Sequence, residues 1–324
     1  MATDCLRSYL RKGRWEYGKE YFRDGVLILP FVHPAAYSEE TKNFKIRKDD
    51  VFMSSFPRAG THLTCELIQS VLNFGSTREL WDQQIHDRLQ FLQASKEVIL
   101  GTAPSIEDPG SNPLPRAEAA QSPRLFFNHM SYEFVPNDVK RGKCKVIITH
   151  RNPKSTYLSW FYLFRDGFKG MFDWDSPLTW EDFSAAMLTG ETKDMPGFCG
   201  TWFDFYKQWW ENRTPNMFFL NYEALMKDAP KVIMELAKFL EKDLNEDQVE
   251  TISQHIKFDN LKKSPGFGEA FARLEVLGKG AAPHMRKGKI DDWKNVFTVA
   301  QSEQFDKLFK EKMKDTCFPE PIYE

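Results

Sequence analysis

The chain has 324 residues, 41% of them hydrophobic and 28% charged, and Lys+Arg 44 against Asp+Glu 46 leaves a formal net charge of -2. That length can bury a substantial core, and the near balance of charge excludes a bulk basic protein that coats nucleic acid. Apolar runs such as Val26 to Val32, interrupted by Pro30, fall far short of the roughly 18–20 residues a membrane helix needs, so membrane insertion is not expected.

At the start of the chain, Arg7, Arg11, Lys12 and Arg14 are followed by no apolar stretch with a small-residue cleavage site. Asp4, Glu16, Glu20 and Asp24 do not suit an acid-poor presequence. The five cysteines (Cys5, Cys65, Cys144, Cys199 and Cys317) are odd in number, scattered, and outside any CxxC or Cys/His cluster. A reduced, cytoplasmic protein with neither a disulfide framework nor a metal site is the expectation.

Short continuous apolar runs follow, of the kind expected for parallel strands covered on both faces. They are Val51 to Phe56, Leu125 to Phe127, Lys145 to Thr149 and Met217 to Leu220. Between them lie helical patterns. Leu63, Leu67, Ile68, Val71 and Leu72 share one face. Asn152 caps a helix that opens on Pro153. Thr179 and Asp182 resemble a capping box, with Asp in place of the usual Glu or Gln. Phe198 to Asn212, the face made by Val232, Ile233, Leu236, Phe239 and Leu240, and Ala300 to Lys314 complete the predicted helices. This alternation predicts an α/β fold: a single domain, 1–324, with a central, mostly parallel sheet flanked by helices. Residues 1–48 read as an N-terminal segment, and Tyr21, Phe22, Phe31 and His33 read either as a ligand-pocket wall or as core. Gly101 to Ser122 reads as an exposed loop, and 262–290 as an irregular lid or nucleotide-binding loop. Most of the 28 phenylalanines are expected in the core, with a Phe-lined pocket for a flat apolar ligand as the lesser alternative.

The most informative segment is Ser55-Phe56-Pro57-Arg58-Ala59-Gly60-Thr61-His62, where a predicted strand turns into a helix. Backbone N–H groups converge at such a turn and the helix dipole adds positive potential. Arg58 supplies charge, Thr61 a hydroxyl, and Gly60 close backbone approach. The pattern is not a GxxxxGK[ST] loop. On these residues alone it reads as an ordinary strand–helix turn or as a phosphate site. Arg151 with Ser159, and Arg286-Lys287-Gly288, could hold a second phosphate, Arg being suited to bidentate contact. Each alone reads as a solvated surface charge. Together with the turn they describe a site for a nucleotide with two separated phosphates.

At this point the chain resembles the cytosolic sulfotransferase family. Phe56 to Thr61 resembles its 5′-phosphosulfate loop, Pro123 to His129 the segment that ends in its catalytic histidine, and Arg151 to Ser159 its 3′-phosphate motif. Trp209-Trp210-Glu211 with Tyr222-Glu223 resembles the segment whose tyrosine contacts adenine. Met285 to Gly288 with Asp292-Trp293-Lys294 resembles its C-terminal signature. The resemblance runs from about Asp49 to Met313. It implies a P-loop-kinase-like sulfotransferase fold and the donor 3′-phosphoadenosine 5′-phosphosulfate (PAPS), with the bisphosphate PAP as product and no metal. It also implies a small apolar alcohol, phenol or amine as acceptor, with His129 as general base and Arg58 on the leaving phosphate. The donor would lie against Arg58, Ala59, Gly60, Thr61, His62, Arg151, Ser159, Tyr222, Arg286, Lys287 and Gly288. A catalytically weak binding relative, or a dehydratase acting through a sulfate ester, are the alternatives.

Five positions depart from the family pattern. Arg58 stands where Lys is usual, and Phe127 where a Lys contacts the transferring group. Leu63 replaces a Trp that stacks on adenine, His62 replaces a Thr, and Asp291 replaces a Gly near the 3′-phosphate loop. Lys294, Thr298, Val299 and Glu303 resemble the family's short dimerisation motif and imply a homodimer.

Overall fold

The computed structural model describes residues 22–23, 26–27, 32–99, 109–167, 178–190, 200–272 and 285–322. A two-residue antiparallel pair comes first, β1 (Phe22–Arg23) against β2 (Val26–Leu27). Then come β3 (Val51–Ser55), β4 (Gln90–Phe91), β5 (Leu125–Asn128), β6 (Lys145–His150) and β7 (Met217–Asn221). These five form one all-parallel sheet in the order β4-β5-β3-β6-β7. The four predicted apolar runs are four of its strands. β4 is too short to carry a period and was not predicted.

The sequence order explains where a ligand sits. The chain places β3 at the centre, with β5 on one side and β6 on the other, so the crossovers leave β3 in opposite directions. Ligands of open parallel sheets bind outside the carboxyl ends of the strands at such a point. Asp50 and Arg124 hold the other ends. Each immediately precedes its strand, and Arg124 Nη2 meets Asp50 Oδ2 at 2.5 Å in a fully buried pair.

The predicted helices form, with shifted ends. Helix α1 (Thr61–Leu72) buries Leu67, Ile68 and Val71. Helix α2 (Pro153–Tyr162) is capped by the Asn152 side chain, which accepts from the Lys154 and Ser155 amides. Helix α3 (Trp180–Thr189) is capped by Thr179, and α4 (Trp202–Glu211) by Thr201. Helices α5 (Ala229–Phe239), α6 (Glu246–His255) and α7 (Val299–Met313) follow. Phenylalanine dominates the core as expected: Phe56 meets Tyr157, Trp160 and Phe205 edge to face.

One predicted loop is corrected. Within Gly101 to Ser122, the helix Pro113–Ala119 forms and buries Leu114 and Ala117; residues 101–108 lie outside the described residues. Pro113 and Pro115 occupy the first turn, where the amide hydrogens they lack have no helical partner, and Asn112 caps the end. In the irregular segment 262–290, Gly268–Ala272 is helical and the preceding turn is tied down by Gly266 N donating to Trp81 O at 2.9 Å. Residues 273–284 of the expected lid lie outside the described residues, as do Tyr21 and Phe31. His33 caps the short helix Pro34–Tyr37 by accepting from Ala35 N at 3.1 Å. Among the described residues, Cys65, Cys144 and Cys317 are free thiols, and no helix is long and apolar enough to cross a membrane.

Candidate active site

Each core site residue follows the carboxyl end of a strand. Arg58 comes three residues after β3, and His129, Arg151 and Tyr222 are the first residues after β5, β6 and β7. Parallel register brings these ends level, with Ser54 opposite Asn128 and His150 opposite Asn221. They open on a cavity of about 240 Å³. Of the sequence-named residues, all but Ala59 line it. Ala59 is buried, and its amide is spent within the turn on Phe56 O at 3.1 Å.

The turn is built around backbone that side chains would obstruct. Gly60 has φ +99° and caps α1, and a Cβ there would come within 2.5 Å of the Tyr222 ring. Thr61 opens α1 with its hydroxyl 2.7 Å from Ser55 Oγ. Tyr206 OH donates to Thr149 O at 2.7 Å and accepts from Phe56 N at 3.3 Å, locking the turn to β6.

The cations are joined into one network. Arg58 Nε donates to Ser159 Oγ at 3.0 Å, and Arg151 Nη1 donates to Arg58 O at 3.2 Å. Burial, then the neighbouring Arg151 and Arg286, push the Arg58 guanidinium down to about 10. Like charges this close disfavour one another's charged form. The Arg151 guanidinium lies 4.6 Å from the Tyr222 ring, so the tyrosine is held between Arg151 and the Gly60 backbone. Glu223 braces Arg151 from behind, at 3.9 Å from Nε, and accepts from Asn152 N at 3.0 Å; burial pushes it up to about 7.

Arg286 and Lys287 share one carboxylate, Asp292, at 2.6 and 2.8 Å. Their hydrogen bonds hold Asp292 below the usual carboxylate range despite its burial. Asp291, the anion flagged in the sequence, is exposed, so its neighbour Asp292 is the one that orders the basic pair. Gly288 has φ +65°, and a Cβ there would strike the Phe258 ring at 2.4 Å.

His129 lines the same cavity. Its Nδ1 lies 2.8 Å from the Ser55 carbonyl, which can only accept, so Nδ1 carries the proton and Nε2 keeps the lone pair of a base. Burial pushes the imidazole down to about 4, partly offset by the Ser55 bond and reinforced by Arg58. Gln93 fixes the backbone by accepting from His129 N at 2.6 Å. Phe127 stacks on Phe91 with centroids 4.5 Å apart and planes 10° from parallel. His86, Phe91, Phe258 and Phe267 line the cavity and were not picked out in the sequence. They come from short elements without periodicity, and no sequence signal marks them.

This arrangement defines an α/β protein whose strand–helix turn, second group of cations and histidine line one cavity. The sulfotransferase domain profile matches residues 48–317, and the chain belongs to the sulfotransferase family. The amine sulfotransferase of rabbit (Oryctolagus cuniculus) is 32% identical over 284 residues, covering 86% of this chain and 85% of its own. The crystal structure of mouse sulfotransferase SULT7A1 complexed with PAP superposes with a TM-score of 0.69 at 25% identity, covering 91% of this chain and 95% of that one. Retinol dehydratase, solved with androsterone and inactive cofactor PAP, shares the fold with a TM-score of 0.72 at 24% identity, over 87% of this chain and 85% of that one.

Proposed function

We propose that the protein transfers a sulfuryl group from PAPS to a hydroxyl or amine of a small apolar acceptor. The observation that carries this reading is the pairing of the Ser55-bound, Nδ1-protonated His129 with the Arg58 turn across one cavity. The residues fit the donor. Gly60 and Gly288 let the Tyr222 and Phe258 rings close onto the backbone beside the cavity, and Arg151 Nε is buried without a hydrogen-bond partner among the described residues. When bound, PAPS supplies an electrophilic sulfur and a phosphate leaving group. The turn and Arg58 hold the 5′ side. Arg151, Ser159, Arg286, Lys287 and Gly288 hold the 3′-phosphate, and Tyr222 packs on adenine. His129 Nε2 takes the acceptor proton as its oxygen or nitrogen attacks, and Arg58 balances charge that develops on the leaving oxygen. The aromatic wall of Phe91, Phe127 and Phe267 suits a flat apolar phenol, alcohol or amine. The chain is read as one domain working in the cytoplasm.

The donor site has a binding test. Replacing Arg151 or Arg286 by Ala should weaken PAP by about 10–100-fold, the worth of a charge-assisted contact of ~1.5–3 kcal/mol, while AMP binding changes little. Calorimetric titration with both ligands decides it. Equal losses for PAP and AMP would show that these residues do not read the 3′-phosphate.

Assembly as a homodimer through Lys294, Thr298, Val299 and Glu303 is part of the same proposal. Thr298 caps α7 in a capping box with Gln301, and Val299, the first residue of α7, is 76% exposed. An exposed apolar residue between Lys294 and Glu303 is self-complementary about a two-fold axis. Such a patch is smaller than the roughly 1,200 Å² of ordinary stable interfaces, so the dimer should dissociate on dilution. Val299→Glu should give a folded monomer at concentrations where the wild type sediments as a dimer. A variant that still dimerises places the interface elsewhere.

A further inference from the structure

The donor side of the cavity holds an imidazole where the family pattern has a hydroxyl. His62 is the second residue of α1, directly after Thr61, and lines the cavity. Its ring lies 5.3 Å from that of Phe127 and 6.2 Å from that of His86. Phe127 occupies the position from which a lysine would otherwise reach the transferring group, and its ring is committed to the stack with Phe91. The site therefore has a neutral ring at the position of the family's lysine and an ionisable ring packed against it at a helix N-terminus. We infer that His62 is a second catalytic histidine, on the donor side, whose imidazole takes up a proton when the phosphosulfate is seated and supplies the positive charge that Phe127 cannot. The inference rests on the sulfotransferase reading of the site.

The electrostatics explain why this charge is conditional. The groups facing His62 are Arg58 from the turn, His86 from the helix Ile85–Arg88, and His129 from the end of β5. Burial and then these neighbours hold His62 well below the usual histidine range, so it is neutral in the empty site at pH 7. A phosphate against the α1 N-terminus reverses the balance, since it neutralises Arg58 and favours imidazolium beside it. In the transfer step the acceptor oxygen bonds to sulfur as the bond from sulfur to the bridging oxygen breaks. That electron pair stays on the 5′-phosphate, facing His62 and Arg58, and the acceptor proton goes to His129 Nε2 and then to solvent. His62 keeps its proton through the step and returns it to solvent when PAP leaves.

The test needs no acceptor. Calorimetric titration with PAP at pH 7, in buffers of different ionisation enthalpy, should show net proton uptake in the wild type. The uptake should persist with AMP, which lacks the 3′-phosphate near Glu223, and in His129→Gln, and should be lost in His62→Gln. Turnover of His62→Gln should fall by about 10²-fold, and the wild-type alkaline limb of kcat, set by His62 in the donor complex, should disappear. Adding Phe127→Lys to His62→Gln should recover most of the rate, because a permanent cation then replaces the conditional one. Proton uptake unchanged in His62→Gln, or a double variant no faster than the single, overturns the role of His62. Failure of PAP to bind at all would instead contradict the donor site itself, so the two readings fail separately.

Discussion

His129→Ala is expected to lower sulfuryl transfer by about 10²–10⁴-fold, the contribution of a positioned general base, while PAP affinity changes by less than about twofold. The asymmetry follows from where the ring sits. Its backbone is fixed by Gln93 and its Nδ1 by the Ser55 carbonyl, so Nε2 is the ring atom that keeps the lone pair of a base. The imidazole is pushed down to about 4, which keeps it neutral at pH 7. In the free enzyme the acid limb of kcat/KM should therefore fall below the usual histidine range. Initial rates with PAPS and calorimetry with PAP separate the two effects. Retained turnover in His129→Ala removes this residue from the mechanism.

Glu66→Leu is expected to destabilise the fold by about 3–5 kcal/mol, the penalty for leaving a buried charge without its partner. Glu66 projects from α1 with no exposed side-chain surface. One oxygen meets His255 Nε2 at 2.7 Å and the other Arg88 Nη2 at 2.8 Å. It thus ties α1, which begins at the phosphate turn, to the end of α6 and to the short helix that carries His86. Removing the carboxylate leaves Arg88 buried and uncompensated. Replacing Glu66, Arg88 and His255 together by apolar residues of similar volume should restore most of the loss, since well-packed apolar substitutes for a buried ion network are often neutral. Urea unfolding of the wild type, the single and the triple variant measures this. A single variant as stable as the wild type would show that the triad does not brace α1.

Four of the five sheet strands were legible because each carries one unbroken apolar run, and the residue after such a run is where a ligand meets a parallel sheet. Arg58 and Arg151 could be named from their places after predicted strands, and His129 and Tyr222 from the family resemblance; all four converge because each follows the end of a strand. The turn was legible through Gly60, whose φ of +99° a side chain would resist. What escaped notice depends on contacts between distant segments. Glu66 and His255 are 189 positions apart, and nothing local marks them as partners. Strand β4 is two residues long and the helix Ile85–Arg88 only four, too short for either to show a period, so Phe91 and His86 stayed hidden. Pro113 and Pro115 looked like loop residues because proline disrupts a helix interior, whereas a first turn accepts it. Asp291 and Asp292 are adjacent and chemically identical; only the fold shows that Asp292 turns inward to Arg286 and Lys287.

The measurement that bears most directly on the proposed activity is an assay with PAPS across phenols, steroids, alcohols and amines, following sulfate-ester product and PAP together. The predicted result is acceptor-dependent release of PAP matched mole for mole by a sulfate ester, abolished in His129→Ala. Saturable binding of PAP with no ester formed from any acceptor, or PAP release that His129→Ala leaves unchanged, would contradict it.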